Sequence, residues 1–502
     1  MHYYIPIYNM NTHYFNTTYD EDYNYNIEPL YGQRRDNEID ATLLLQNNNQ
    51  LPHAYSVEKG RVDFTMRDTY SIDPPGCEDA DDAFSIFTND EGLFLAIHIA
   101  DPTEWISLDT SLWNDIRERV VTRYPSNRIP IHLMPKDIVD RASLMANQYG
   151  NTKNAITVLT RICTDTFVPI GHIKLLFSTV RVTEHNAFTY ANANIILNNS
   201  DDTHVAARNA ISTGLKIATA LNAQRAEKTV GARLGELTPS SVVFSSNTGQ
   251  GPTLARADID VSNMQKMIAE FAIFANAFVG EHLKIHMRGT GIFRTCVTDG
   301  WIDTIATDIG SEELMNAIIV NGIQADYIAT NASHDLVGMP EYCHFTSPIR
   351  RLADCVCHYL IKYIYLSTMN TGLPEPFSKE SLTELSDTCF KVSKNIKNIQ
   401  YRDTKFRLLQ TMNHMLAISP GNPITVTFFI TGYKAPFLNL IICNISDHQV
   451  RMSYTLRIKK LNNDNITLRE KYVVDVRSVG RVGKFDEGTL PDIDAFVTHH
   501  FT

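Results

Sequence analysis

What the chain lacks narrows the possibilities first. Its 502 residues contain no uninterrupted apolar run approaching the roughly eighteen side chains that a helix needs to cross a bilayer. A membrane protein is therefore not expected. Eight cysteines are scattered along the chain with no Cys-x-x-Cys pair, which excludes a zinc ribbon and argues against a disulfide framework. Cys355 and Cys357 are two apart on an expected helix and point to different faces, so reduced, buried thiols are expected. No Lys or Arg precedes Arg34, and the start has no basic stretch followed by an apolar core. Neither a transit peptide nor a secretory signal is expected, and a reducing, cytoplasmic compartment fits. Positive charge is also scarce, with 45 Lys and Arg against 56 Asp and Glu and a net charge of −11. That excludes a histone-like coat of cations but leaves room for a local basic groove.

The residues that are present divide the chain into three parts. Residues 1–59 form an arm rich in Tyr and Asn, with Asp20, Glu21 and Asp22 clustered and no sustained period. Its tyrosines could pack it onto the body or stack on bases. From Arg61 the texture changes. Ala83 to Phe87 and Leu93 to Ile99 are apolar runs separated by Asn89-Asp90-Glu91-Gly92, which reads as a strand hairpin. Helical periodicity follows over 205–228, 262–285, 349–366 and 379–415, with Met264, Met267, Phe271, Phe274 and Phe278 forming a core stripe in the second of these. Ser419-Pro420-Gly421-Asn422-Pro423 ends the helical texture. Residues 423–502 read as a small β-barrel, with strands over 424–430, 438–442 and 472–476. Between 423 and 485 ten basic residues face four acidic ones, so an acidic protein carries a basic terminal domain, for which nucleic-acid binding is expected.

The most chemically loaded segment is Ile72-Asp73-Pro74-Pro75-Gly76-Cys77-Glu78-Asp79-Ala80-Asp81-Asp82. Carboxylates this close repel and raise one another's pKa unless a cation neutralises them. Hard oxygen donors point to Mg²⁺, with Mn²⁺ as a substitute, rather than zinc. The spacing does not fit an EF-hand. Two such ions, about 3.5–4 Å apart, are a common device for phosphodiester hydrolysis. A second constellation is His344-Phe345-Thr346-Ser347-Pro348-Ile349-Arg350-Arg351, followed by Asp354 and His358. Ser347 suits a helix cap and Pro348 the first turn. Two arginines beside such a helix start would form a phosphate site.

These segments together resemble the ribonuclease II family, defined by the RNB catalytic domain. The Ile-Asp-x5-Asp-x-Asp-Asp-Ala signature stands at Ile72 to Ala83, and His-Phe-Thr-Ser-Pro-Ile-Arg-Arg is intact at 344–351. Arg61-x-Asp63, His98-Ile99-Ala100-Asp101 and Ile292-Phe293-Arg294 are further landmarks. The resemblance implies an α+β fold, with an RNB-type catalytic domain over 60–418 (a mixed sheet with packed helices around a central RNA channel) and a small C-terminal OB-like β-barrel over 423–502. It also implies a processive, Mg²⁺-dependent 3′-to-5′ exoribonuclease that threads single-stranded RNA and releases nucleoside 5′-monophosphates. Asp73, Asp79 and Asp82 then correspond to metal ligands. Asp81, also in the ligand set, corresponds to the aspartate most directly tied to catalysis, and Arg350 to the arginine on the scissile phosphate. Tyr124 corresponds to a base-stacking clamp and Tyr190 to a tyrosine near the ribose, with Phe244 a further stacking candidate and Ser347 and Arg351 at the RNA.

Four departures qualify the likeness. The family's Glu-Glu pair reads Ala269-Glu270 here, which leaves Glu270 alone for ribose discrimination. No Glu precedes Arg402 in Gln400-Tyr401-Arg402-Asp403, and no Leu follows Tyr124. The 1–59 arm is too short for two cold-shock barrels, so a weaker grip on RNA is expected, or a helicase or RNA-binding protein as partner. The alternative reading is a catalytically weak RNB-fold subunit that binds RNA or serves assembly.

Overall fold

The computed structural model describes residues 28–32, 52–57, 59–126, 130–199, 203–232, 244–246, 252–254, 262–305, 314, 317–318, 324–458, 470–480 and 488–501. Most of the Tyr/Asn-rich arm, including the acidic and Asn clusters, lies outside the described residues.

A short turn of helix, α1 (Glu28–Tyr31), and a two-residue strand, β1 (Val62–Asp63), come first. β2 (Ser71–Asp73) leads through the Pro74-Pro75-Gly76 turn to the expected hairpin, β3 (Asp82–Asn89) and β4 (Gly92–Ala100). Gly92 closes that hairpin at φ +126, a conformation that L side chains rarely adopt. β4 is buried from Phe94 to Ala100, as an apolar run in a strand covered on both faces should be. Next come α2 (Ser111–Arg119) and α3 (Lys136–Ala142), then β5 (Thr152–Ile162) and β6 (Pro169–Arg181). The Thr110 hydroxyl caps α2 by accepting the Trp113 N–H. The sheet order is β1-β6-β5-β4-β3, antiparallel except for β1 on β6. His98 inside it is a core histidine held by Ser85 and Thr157. Burial pushes its pKa down to about 3 and keeps it neutral.

β7 (Ala187–Thr189) pairs parallel with β2 and runs into α4 (Tyr190–Asn198) and α5 (Val205–Ala226). The ribbon β8 (Phe244–Ser246) and β9 (Pro252–Leu254) precedes α6 (Ser262–His286), the antiparallel pair β10 (Thr290–Thr295) and β11 (Asp326–Thr330), α7 (Leu352–Ser367) and the long α8 (Lys379–Ile418). The Met264, Met267 and Phe271 stripe of α6 is buried in the main core with β3, β4 and α7. Gly280 of α6 lies so close to the chain before α7 that a Cβ there would meet the Tyr342 nitrogen at 2.9 Å.

The C-terminal region is an OB-like antiparallel sheet, ordered β14-β13-β12-β15. It is built from β12 (Ile424–Lys434), β13 (Phe437–Ile445), β14 (His448–Arg457) and β15 (Lys471–Val476), with α9 (Pro491–Phe501) packed against it. Leu408, Leu409 and Met412 at the end of α8 belong to this second core, so one helix serves both cores. The molecule is α+β, with the mixed sheet and helices first and this sheet last. No helix among the described residues is long and apolar enough to cross a membrane.

Beneath the main sheet lies a buried charge network. Lys362 of α7 reaches Asp101 at 2.9 Å and Glu104 at 2.7 Å, and Arg61 reaches the same two carboxylates at 2.7 and 2.9 Å. Burial opposes ionisation of Asp101, yet the Lys362 ammonium and Arg61 guanidinium hold its carboxyl well below the usual range. Removing one cation from such a network leaves a buried charge without compensation. Lys362→Met is expected to lower unfolding free energy by about 3–5 kcal/mol, measured by urea denaturation. A loss under about 1 kcal/mol would mean the network is solvated.

Candidate active site

The carboxylates are gathered by a strand end, a turn and a strand start. β2 delivers Asp73, and Gly76 at φ +78 reverses the chain after the two prolines. Asp79 and Asp81 are then buried, and Asp82 opens β3. The β2–β7 register pairs Asp73 with Thr189, which brings Tyr190 beside the cluster. Burial, followed by the charges of Asp73 and Asp82, raises the Tyr190 phenol far above its ordinary range.

The second segment meets the first through one ion pair that spans 269 residues. Asp81 Oδ2 accepts Arg350 Nε at 2.8 Å, and Oδ1 accepts the Ile349 N–H at 2.8 Å. Arg350 Nη2 donates to the Ser347 hydroxyl at 2.8 Å. The Ser347 N–H and Arg351 Nη2 both donate to Asp354 Oδ1, at 2.7 and 2.9 Å. Asn276 of α6 accepts the Phe345 N–H at 2.8 Å, and His358 Nε2 donates to the Phe345 carbonyl at 3.0 Å. The loop is therefore pinned at Phe345, Ser347, Ile349 and Arg350. It is a turn rather than the expected helix start, because α7 begins only at Leu352, after Arg351. Ser347 does not cap α7, since its N–H goes to Asp354 and its hydroxyl accepts Arg350 Nη2, both close by in the same segment. The two arginines directly precede α7, with Arg351 at its N-cap position, and their side chains are taken up by carboxylates, Arg350 by Asp81 and Arg351 by Asp354.

Electrostatically the site is poised. Burial raises Asp73 well above the carboxylate range, reinforced by the charges of Asp82, Asp79 and Asp81. Burial also lifts Asp81 to about 7 although the Arg350 guanidinium pulls the other way. Asp82 rises to about 6 against the pull of Arg350 and Arg351. Buried carboxylates that disfavour their own ionisation are a donor set suited to a hard divalent cation. Among the described residues, however, no three carboxylate, imidazole or thiol groups converge into a ready-made metal cage. In this arrangement Asp81 is turned onto Arg350 and Ile349.

The other expected residues are distributed unevenly. Tyr124 lies on a loop tied to the motif, with the Thr122 N–H donating to the Arg350 carbonyl at 3.0 Å. Glu270, expected at the ribose, is engaged within the protein. It is 5% exposed and ion-paired with Arg225 of α5, and Asn222 donates to it at 2.9 Å. The Phe244 backbone forms β8 against β9, and its side chain lies outside the described residues. Sequence reasoning missed His132, whose Nδ1 is 3.8 Å from Asp79 Oδ2, as well as Asn276 and Asp403. Asp403 was within reach, because it directly follows the Arg402 before which a Glu was sought. His132 and Asn276 carry no local signal.

Comparison with known proteins agrees with this geometry. The model of the RNB domain matches residues 61–366. "Exosome complex exonuclease RRP44 homolog A" from Arabidopsis thaliana is 25% identical over 330 residues, covering 58% of this chain and 34% of its own length. The chain thus spans about a third of that relative and 52% of "Exoribonuclease 2" from Vibrio vulnificus, to which it is 24% identical over 64% of its own residues. Among solved structures, Mycoplasma genitalium RNase R in complex with ribose methylated single-stranded RNA superposes with a TM-score of 0.65 at 16% identity, covering 89% of this chain and 75% of that one. At such identity the superposition speaks to fold alone.

Proposed function

The chain belongs to the RNB-domain family, and on that premise we propose that it is a 3′-to-5′ exoribonuclease hydrolysing single-stranded RNA to nucleoside 5′-monophosphates. The observation that carries this reading is the Asp81–Arg350 pair at 2.8 Å within a buried cluster of aspartates. It joins the two halves a phosphodiesterase needs, an acidic centre for cations and a guanidinium for the phosphate.

Asp73, Asp79, Asp81 and Asp82 would hold Mg²⁺, in two ions, with Mn²⁺ able to substitute. When bound, the metal lowers the pKa of water and neutralises charge on the leaving 3′-oxygen. The protein's own groups do the rest. Arg350, its Nη2 on the Ser347 hydroxyl and its side chain 30% exposed, would exchange Asp81 for a phosphate oxygen of the bound RNA. That exchange replaces one charge-assisted bond with another and matches the arginine to charge developing in the transition state. Arg351 stays on Asp354 and braces the loop. Tyr124, Tyr190 and Phe244 serve base and ribose, since stacking and 2′-OH contacts hold single-stranded RNA. Glu270 acts indirectly, through the ion pair that holds α5 on α6. The basic C-terminal sheet would supply a sequence-independent grip, with a helicase or RNA-binding protein as a further partner.

The same fold admits a second reading. The yeast Ssd1 structure, titled a pseudonuclease, superposes with a TM-score of 0.58 at 17% identity over 84% of this chain. Under that reading the protein is a catalytically weak subunit that binds RNA. A time course on 5′-labelled single-stranded RNA separates the two. Mg²⁺-dependent shortening to a small 5′ remnant, abolished by EDTA, is the expected result. Intact RNA under both conditions, with a gel shift retained, would give the assignment to the binding subunit.

A further inference from the structure

The described part of the N-terminal arm is not a loose appendage. Tyr31 is 1% exposed, and its hydroxyl donates to Asp403 Oδ2 at 2.7 Å across 372 residues. The same buried carboxylate accepts the Ser126 N–H at 2.8 Å and the Ser126 hydroxyl at 2.6 Å. Arg123 Nη1 donates back to the Tyr31 carbonyl at 2.6 Å. Gly32, at φ +80, makes that approach feasible, because a Cβ there would lie 3.0 Å from the same nitrogen. Ile131, Ile396, Ile399 and Phe406 form the apolar floor under the tyrosine ring.

Three segments distant in sequence therefore meet at one residue. They are α1, the Arg123–Ser126 loop and the middle of α8. The loop is the one that carries Tyr124, whose carbonyl accepts Gln400 Nε2 at 3.5 Å. It continues directly to the site. Arg123 and Ile131 exchange backbone hydrogen bonds at 3.0 and 2.9 Å, and the Thr122 N–H meets the Arg350 carbonyl at 3.0 Å. A chain of hydrogen bonds and covalent neighbours thus runs from the arm to the catalytic loop.

We infer that α1 is a clip that sets the position of the Tyr124 loop, and that Tyr31 is a positioning residue for RNA held there. The inference rests on the reading of Tyr124 as an RNA-stacking side chain. Its physical basis is that Asp403 fixes one end of the loop only while its buried oxygens are satisfied. The Tyr31 hydroxyl supplies one of its donors, and the Tyr31 backbone carbonyl takes up Arg123. Without the hydroxyl bond, α1 is held less firmly, so the carbonyl that anchors Arg123 gains freedom with it, and RNA must reorder the Tyr124 loop on binding although the Ser126 bonds persist.

Tyr31→Phe keeps the ring on its apolar floor and deletes one bond. Measured in EDTA at a temperature well below melting, its dissociation constant for single-stranded RNA is expected to rise about tenfold, the scale of one charge-assisted hydrogen bond. The cleavage rate at saturating RNA should change less than the affinity. Ile396→Val trims the same floor without touching the bond, and its RNA affinity should match wild type. Wild-type affinity in Tyr31→Phe would overturn the clip, as would an equal loss in Ile396→Val, which would mark the effect as general loosening. Tyr124→Ala separates the clip from the reading beneath it. Unchanged affinity in Tyr124→Ala overturns the stacking role, whereas a loss there with none in Tyr31→Phe overturns the clip alone. Because binding is read without metal, a wild-type protein that cleaves nothing would refute the nuclease assignment without blurring this comparison.

Discussion

Asp81→Asn is expected to lower the single-turnover cleavage rate by about three orders of magnitude or more while leaving RNA affinity in EDTA within about threefold. The substitution is nearly isosteric, so the turn between β2 and β3 should survive. The carboxylate now accepts two donors, Arg350 Nε and the Ile349 N–H, both at 2.8 Å. An asparagine has one oxygen for these two and sets an amide donor against the other, which frees Arg350 from its partner. The negative charge needed to hold a cation disappears at the same time. Binding should persist because the residues proposed to hold RNA, Tyr124 at a base and Tyr190 at the ribose, are left unchanged. Rates within tenfold of wild type would remove Asp81 from the reaction, and a parallel collapse of affinity would make it a binding or folding residue instead.

Arg350→Ala is expected to cost about 10²- to 10³-fold in the cleavage rate, the range seen when one preorganised donor to a developing oxyanion is removed. The guanidinium makes two directed contacts at once, Nε to Asp81 and Nη2 to Ser347. That fork is what lets the side chain be aimed before substrate arrives. Arg350→Lys should therefore recover little of the lost rate. An ammonium is a point charge without the planar fork and cannot reproduce both contacts from that backbone position. Comparing the two variants under single-turnover conditions, with saturating RNA, isolates the chemical step. If alanine leaves the rate near normal, the arginine only braces the Asp81 turn. If lysine restores it fully, charge alone suffices and the geometric argument fails.

Much of the scaffold was legible because local physics dominates there. The hairpin over 82–100 announces itself through two apolar runs and an Asn-Asp-Glu-Gly turn. The stripe on α6 follows a 3.6-residue period, and α8 runs to Ile418, a few residues past its expected end and just before the Ser-Pro-Gly-Asn-Pro break. β14 was not among the strands read from the sequence, although Val450, Met452, Tyr454 and Leu456 turn inward at period two. The helix start at Ser347-Pro348 was misread for a different reason. Capping preferences describe a serine with no stronger partner nearby, and Ser347 has Asp354 and Arg350.

The same distinction separates the parts of the site. From the sequence alone came the kind of chemistry available: aspartates crowded into one turn, an arginine pair behind Ser-Pro, and tyrosines at spaced positions. Charge type, crowding and periodicity are properties of near neighbours, so they can be read along the chain. Tertiary structure alone decided which charges meet. It set Arg350 on Asp81, gave Glu270 to Arg225 instead of leaving it open, and drew Tyr31 onto Asp403. Electrostatic and hydrogen-bond energies depend on distance through space and on burial, and folding assigns both without regard to separation along the chain.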